Sequence, residues 1–191
     1  MRRSSLALVA LVTVTVVGIA GSSARWMAAR PAESPDLARS LDDPTIVAIF
    51  DAANTADIET GALASKRGHA PEVREFGAML ARDHAQVRQL GRDLAGKLGV
   101  TPTPPKDDAS ARAHAAAMTH LRTLEGAEFD HAFLRHEVTF HKAVIDAVQT
   151  TLLPAIKNGE VKALVVKVAP AFQAHMLAAQ QLDETLTKAK K

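Results

Sequence analysis

Apolar residues recur every three or four positions through most of the chain beyond residue 42, and nowhere do they alternate as in a strand. Asp43-Pro44 supplies an N-cap followed by proline at the first helical position. Ile46, Ile49, Phe50, Ala53, Asp57 and Thr60 then share one helical face, in a first helix that ends near Gly68. Pro71 opens a second helix carrying Val73, Phe76, Leu80, His84, Val87, Gly91, Leu94 and Leu98, which Gly99 stops. The proline-rich run Thr101–Pro105 is a stiff connector, after which Asp107 or Asp108 caps an Ala-rich segment reaching Leu124. A long helix from about Gly126 to Ile156 presents Phe133, Glu137, Phe140, Val144, Val148 and Leu152. Asn158-Gly159 turns the chain into a last helix, Glu160 to Lys188, with Val161, Val165, Val168, Phe172, His175, Ala179, Leu182 and Leu186 in phase. The pattern predicts an all-α fold, an antiparallel four-helix bundle with an extra short helix in the central crossover.

The N-terminus follows a different rule. Arg2-Arg3, the apolar run Leu6–Ala20 and the small residues up to Ala24 have the order of a secretory signal peptide. Residues 1–24 are therefore expected to be a cleaved leader, or else an uncleaved anchor tethering the chain to a membrane through residues 6–20. The apolar run is shorter than the roughly 20 residues a spanning helix needs. Residues 25–41 are small, polar and contain Pro31 and Pro35, which suits a flexible linker, and residues 42–189 form the helical domain. Export to the periplasm or cell envelope follows from this reading.

Composition removes several functions. The chain of 191 residues has no cysteine, so neither disulfide nor thiolate chemistry is open to it. Without Arg2 and Arg3 it carries 21 Lys and Arg against 21 Asp and Glu, and it has no Tyr and one Trp. A near-neutral domain with so few exposed stacking groups is a poor partner for nucleic acid. No serine sits in a nucleophile-elbow pattern, which argues against hydrolase chemistry.

The candidate chemistry lies where polar residues interrupt the apolar stripes. His69, His114, His120 and His131 fall near helix ends or in the Ala-rich segment and are expected at the surface. His84, Glu137, His141 and His175 replace apolar residues on, or at the edge of, buried faces, where an unpartnered polar group costs several kcal/mol. His141 and His175 lie about 17 residues on either side of the Asn158-Gly159 turn and so fall at one level, with Glu137 one turn from His141. In the first hairpin Asp57 or Glu59 lies about ten residues before the turn and His84 about fifteen after it, a mismatch of several ångströms. Imidazoles with a carboxylate suit zinc, copper or iron. The same residues also suit a metal-free hydrogen-bond network that fixes helix register. Asp83 could orient His84 from outside the site, and Pro170 frees the carbonyl of Val166 one turn before His175, where a kink is expected.

Three stretches carry a resemblance. Ala56-Asp57-Ile58-Glu59-Thr60-Gly61-Ala62-Leu63-Ala64, Val73-Arg74-Glu75-Phe76-Gly77-Ala78-Met79-Leu80-Ala81-Arg82-Asp83-His84 and Ala169-Pro170-Ala171-Phe172-Gln173-Ala174-His175 are similar to the exported bacterial family of domain of unknown function 4142. The resemblance covers about Asp43 to Leu186 and implies export, a ferritin-like bundle and a stress-related role, with no established activity. It marks Glu59, Asp83, His84, His141 and His175 as the polar positions of interest and favours Glu59 over Asp57 as the ligand from the first helix, whereas helical phase favours Asp57. Di-iron bundles use Glu-x-x-His pairs, and Glu137-x-x-x-His141 has a different step. The reading is thus a non-catalytic binding or stress module with a metal site at Glu59, His84, Glu137, His141 and His175, supported by Asp57 and Asp83. The alternatives are a metalloenzyme acting on peroxide or metal ions, and a structural bundle with a metal-free polar core.

Overall fold

The computed structural model describes residues 41–189, so the expected leader and all but the last residue of the linker lie outside the described residues. Helix α1 spans Asp43–Arg67. Its N-cap is Asp42 rather than Asp43, with the Asp42 carboxylate accepting from Thr45 N at 2.9 Å. Asp43 is free for another task because it sits at the first helical position. Its carboxylate accepts from Lys157 N and Asn158 N, both at 3.0 Å, and ties the start of α1 to the far hairpin turn. Helix α2 (Pro71–Leu98) stops at Gly99, whose left-handed φ of 64° lets its N–H reach back to Ala95 and Gly96.

The crossover holds α3 (Ala109–Thr123), capped by Asp108, and Gly126 (φ 57°) opens α4 (Gly126–Ala147). The fourth helix continues to Ile156, as expected, but through a π-helical stretch, Val148–Leu152, and one last α-turn, Leu153–Ala155. Pro154 cannot donate to Thr150, and an inserted wide turn is one way a helix absorbs a missing donor. Asn158 caps α5 (Gly159–Ala189), its side-chain oxygen accepting from Glu160 N and Val161 N. The helix runs on through Pro170, which lies on its exposed side.

α1 packs along α2 and α4 along α5, and the two hairpins meet mainly through α2 with α5 and α1 with α4. The apolar core divides into two clusters. Ile46 and Val47 from the start of α1 join Ala95 from the end of α2, Leu152 and Ile156, and Val161 and Val165 from the start of α5. At the opposite end Ala64, Val73, Phe76, Leu80, Leu121, Phe129, Phe133, Leu134 and Ala179 pack together. This grouping means that α1 and α5 run one way, α2 and α4 the other, and the segment from Gly99 to Glu125 travels the length of the bundle. α5 is long and apolar enough to cross a membrane by length and composition, and its Val161, Val165 and Ala179 lie in these two clusters.

Register between α1 and α2 comes from a close approach of two glycines. A Cβ at Gly61 would lie 2.6 Å from the Gly77 carbonyl oxygen and 2.9 Å from Ala81 N, and one at Gly77 would lie 2.7 Å from the Gly61 carbonyl. One turn from Gly61 is Asp57, and one turn from Ala81 is His84, so the pair that looked mismatched when counted from the turn falls at one level. The turn itself, Gly68–Ala70, is held by Asp130 of α4. This residue, which the sequence pattern did not single out, is buried, and its carboxylate accepts from His69 N and Ala70 N at 2.8 Å each.

Gly61→Ala or Gly77→Ala is expected to destabilise the fold by about 1–3 kcal/mol, because the obstacle is backbone that cannot move aside. Gly96→Ala, where nothing lies within 4 Å, should instead stabilise by about 0.5–1 kcal/mol. Denaturant midpoints of the three variants check the contrast. Asp130→Ala should lower stability by about 1–3 kcal/mol by stranding the two backbone donors it serves, and hydrogen exchange at His69 and Ala70 should quicken.

Candidate metal centre

Between the two apolar clusters each of the four long helices contributes polar side chains to one buried layer: Asn54, Asp57 and Thr60 from α1, His84 from α2, Glu137 and His141 from α4, and His175 from α5. The most exposed of them, His175, shows 7% of its surface. Phe172 packs on the layer, its ring edge-on to that of His84 at 5.0 Å and tilted against that of His141 at 5.7 Å.

Each imidazole has one nitrogen committed outward. The Asn54 amide donates to the Phe50 carbonyl at 2.8 Å, which turns its oxygen towards His84 Nδ1 at 2.9 Å. That oxygen can only accept, so His84 carries its proton on Nδ1 and leaves Nε2 bare. His141 Nδ1 donates to the Glu137 carbonyl at 3.0 Å, and its Nε2 is buried without any partner. His175 Nε2 faces the Asp83 carboxylate at 3.4 Å, and Arg82 donates to Asp83 in turn. A proton on His175 Nε2 satisfies Asp83, and its Nδ1 is then bare as well. An outer carboxylate or carbonyl that sets the tautomer of a ring is the usual support of a metal-binding histidine.

The inner nitrogens consequently face one another. His84 Nε2 and His175 Nδ1 stand 3.1 Å apart, and ligand atoms of His84, His141 and His175 all lie within 4.8 Å of one another. With His84 Nε2 bare, the 3.1 Å contact is held either by a proton on His175 Nδ1 or by a cation between the two nitrogens. A tetrahedral ion with metal–nitrogen bonds of about 2.0–2.1 Å separates its ligands by about 3.3 Å. An additional proton, which would make an imidazolium, is disfavoured there, since burial, followed by the neighbouring rings, pushes His84 down to about 3. Burial also pushes His141 down to about 4 and lowers His175, Asp83 partly opposing the latter.

Asp57 and Glu137 lie on the other side of His141. The Asp57 oxygens stand 3.3 Å from His84 Nδ1 and 3.9 Å from His141 Nδ1, and Glu137 Oε2 stands 3.5 Å from His141 Nδ1. No N–H group donates to any of the four carboxylate oxygens, whose polar neighbours besides the rings are each other and the Thr60 hydroxyl. Burial, reinforced by the charge of Glu137, holds Asp57 well above the usual carboxylate range, and burial raises Glu137 to about 7. Three converging imidazoles beside two buried carboxylates are a donor set that fits a divalent transition metal.

Of the residues singled out from sequence, the layer brings together His84, Glu137, His141 and His175, with Asp83 at its rim. Glu59 is not brought there. It points outward, its side chain 52% exposed, and binds His114 Nε2 of α3 at 2.8 Å. Asp57, two residues earlier on the inner face, occupies the place expected of Glu59. Asp83 contacts His175 and not the adjacent His84. His69 and His120 are exposed as expected, whereas His114 and His131 are half-buried against Glu59 and Asp183. Asn54 escaped the sequence reading although it shares the phase of Phe50 and Asp57. Its signal was an amide on an otherwise apolar face.

A crystallised fragment of a DUF305 protein from Deinococcus radiodurans superimposes with a TM-score of 0.64 at 17% identity, over 80% of this chain and 97% of that one. CopM in its Cu(II)-bound form gives a TM-score of 0.57 at 15% identity, over 76% of this chain and 98% of that one. At such identities both likenesses speak for the helical fold alone. No curated protein matches the sequence. The pattern of the domain of unknown function DUF4142 matches residues 27–182, most of the chain, and the protein belongs to that family.

Proposed function

We propose that this protein is an exported, envelope-associated bundle of ferritin-like arrangement that binds a divalent transition-metal ion on His84, His141 and His175, and that it acts by holding the ion rather than by turning over a substrate. The observation that carries the reading is the set of three buried imidazoles whose outer nitrogens face Asn54, the Glu137 carbonyl and Asp83 and whose inner nitrogens converge, two of them 3.1 Å apart. Copper(II) heads the order of affinity among divalent first-row ions for nitrogen and oxygen donors, above nickel and zinc. The likeness to a bundle solved with Cu(II) bound supports the same choice. Burial favours storage or sequestration over catalysis, because an ion fits among residues this enclosed whereas a larger substrate must first open the bundle.

Elemental analysis of the purified chain after exposure to Cu(II) or Zn(II) tests the proposal. Retained metal is expected in the wild type and in Glu59→Ala, and its loss from the imidazole position in His84→Ala, His141→Ala and His175→Ala. A wild-type protein that retains neither ion would leave the layer as a hydrogen-bond network. Because the ion binds the folded state, saturation at about 100 times the dissociation constant should stabilise the wild type by about 2.7 kcal/mol. Thermal melts of the three histidine variants should lack that gain.

Asp83→Asn separates orientation from ligation. It keeps size and helix position but weakens the acceptor that sets the His175 tautomer, so affinity is expected to fall about 10–100-fold with the ion still bound. Competition with a chelator of known affinity measures the change. An unchanged affinity would remove Asp83 from the supporting role.

A further inference from the structure

A cation on the three imidazoles leaves half of the polar layer unaccounted for. Asp57 and Glu137 are 1% and 0% exposed, and apart from each other and the two rings their side-chain oxygens have near them only the Thr60 hydroxyl, which also reaches the Ala56 and Asp57 carbonyls. The N–H groups nearest them are already committed, that of His84 to Asn54 at 2.9 Å and that of His141 to the Glu137 carbonyl at 3.0 Å. Their titratable neighbours among the described residues are these two neutral histidines, with no Lys or Arg. Two carboxylates on facing helices, in contact with the same ring and shut away from water, cannot both stay ionised without a counter-charge.

We propose that Asp57 and Glu137 hold a second divalent cation next to the one on His84, His141 and His175, so that the centre is dinuclear with a nitrogen-rich and an oxygen-rich half. This rests on the three-imidazole reading above and extends it. Ligand atoms of Asp57, Glu137 and His141 lie within 4.8 Å of one another. Metal–oxygen bonds of about 2.0–2.2 Å place opposite ligands up to about 4.4 Å apart, so small side-chain shifts close the site. A divalent ion neutralises both carboxylates, where a proton shared between them neutralises one. Oxygen donors accept harder ions than imidazoles do, so Mn(II), Fe(II), Zn(II) and Cu(II) all fall in the class this half can take. The His141 ring stands between the halves, its Nδ1 edge towards the carboxylates and its unpartnered Nε2 on the other edge. The arrangement differs from the Glu-x-x-His repeat of di-iron bundles, since its carboxylates come from α1 and α4 and its imidazoles from α2, α4 and α5.

The test is copper counting combined with electron paramagnetic resonance on the full chain, comparing wild type with the double variant Asp57→Asn, Glu137→Gln. Both substitutions keep side-chain volume, and helicity by circular dichroism verifies the fold. After saturation with Cu(II) and desalting, the wild type should retain about two ions per chain. Its resonance intensity should be lower than the copper count, because neighbouring Cu(II) spins couple. The double variant should retain about one ion at full intensity. A wild type that stops at one ion, a second ion that persists in the double variant, or a folded double variant that loses both ions would each overturn the dinuclear centre. The first means that the carboxylates keep a proton, the second that the extra ion lies elsewhere, and the third that the imidazoles hold no ion without the carboxylates. A wild type retaining no copper would instead overturn the three-imidazole reading itself.

Discussion

A buried polar atom without a partner costs about 1–3 kcal/mol, and more if it is charged. Asp57 and Glu137 place four such oxygens, and His141 one such nitrogen, in the middle of this bundle. The rest of the structure is arranged around carrying that cost. Apolar clusters lie on both sides of the layer rather than through it, so each end of the bundle supplies packing that the centre cannot. Phe172 and the rings themselves pack against one another in the layer.

Position within the layer depends on backbone more than on side chains. Gly61 and Gly77 let α1 and α2 approach closely, which brings Asp57 against His84. Asp130 holds the turn between the same helices, and Asp43 ties the start of α1 to the turn before α5. Asn54, Asp83 and the Glu137 carbonyl then orient three rings whose inner nitrogens converge. Such preorganisation is costly to the bundle on its own and suits the proposed cation, the usual exchange of stability for function at a site.

Helix number, order and ends were largely legible in the sequence, because proline, glycine and capping residues act locally and the apolar repeat survives in every long helix. His84, Glu137, His141 and His175 were legible for the same reason: each breaks an apolar face. The level shared by His141 and His175 followed from counting outward from Asn158-Gly159, since α4 and α5 meet at a short turn. Counting failed for Asp57 and His84, where the glycine contact sets the stagger. Helical phase pointed to Asp57 and the family resemblance to Glu59, two residues apart, and the structure agrees with the phase.

By itself the sequence determined the class of fold, the absence of thiol chemistry and the histidines that interrupt the core, all of which depend on residue type and short-range spacing. Only the tertiary structure decided that Asp57 faces inward while Glu59 pairs with His114, that Asn54 and Asp83 set ring tautomers, and that the inner nitrogens face each other. These outcomes depend on helix stagger and rotation, which arise from contacts between residues about 16 to 91 positions apart and leave no periodic trace along the chain.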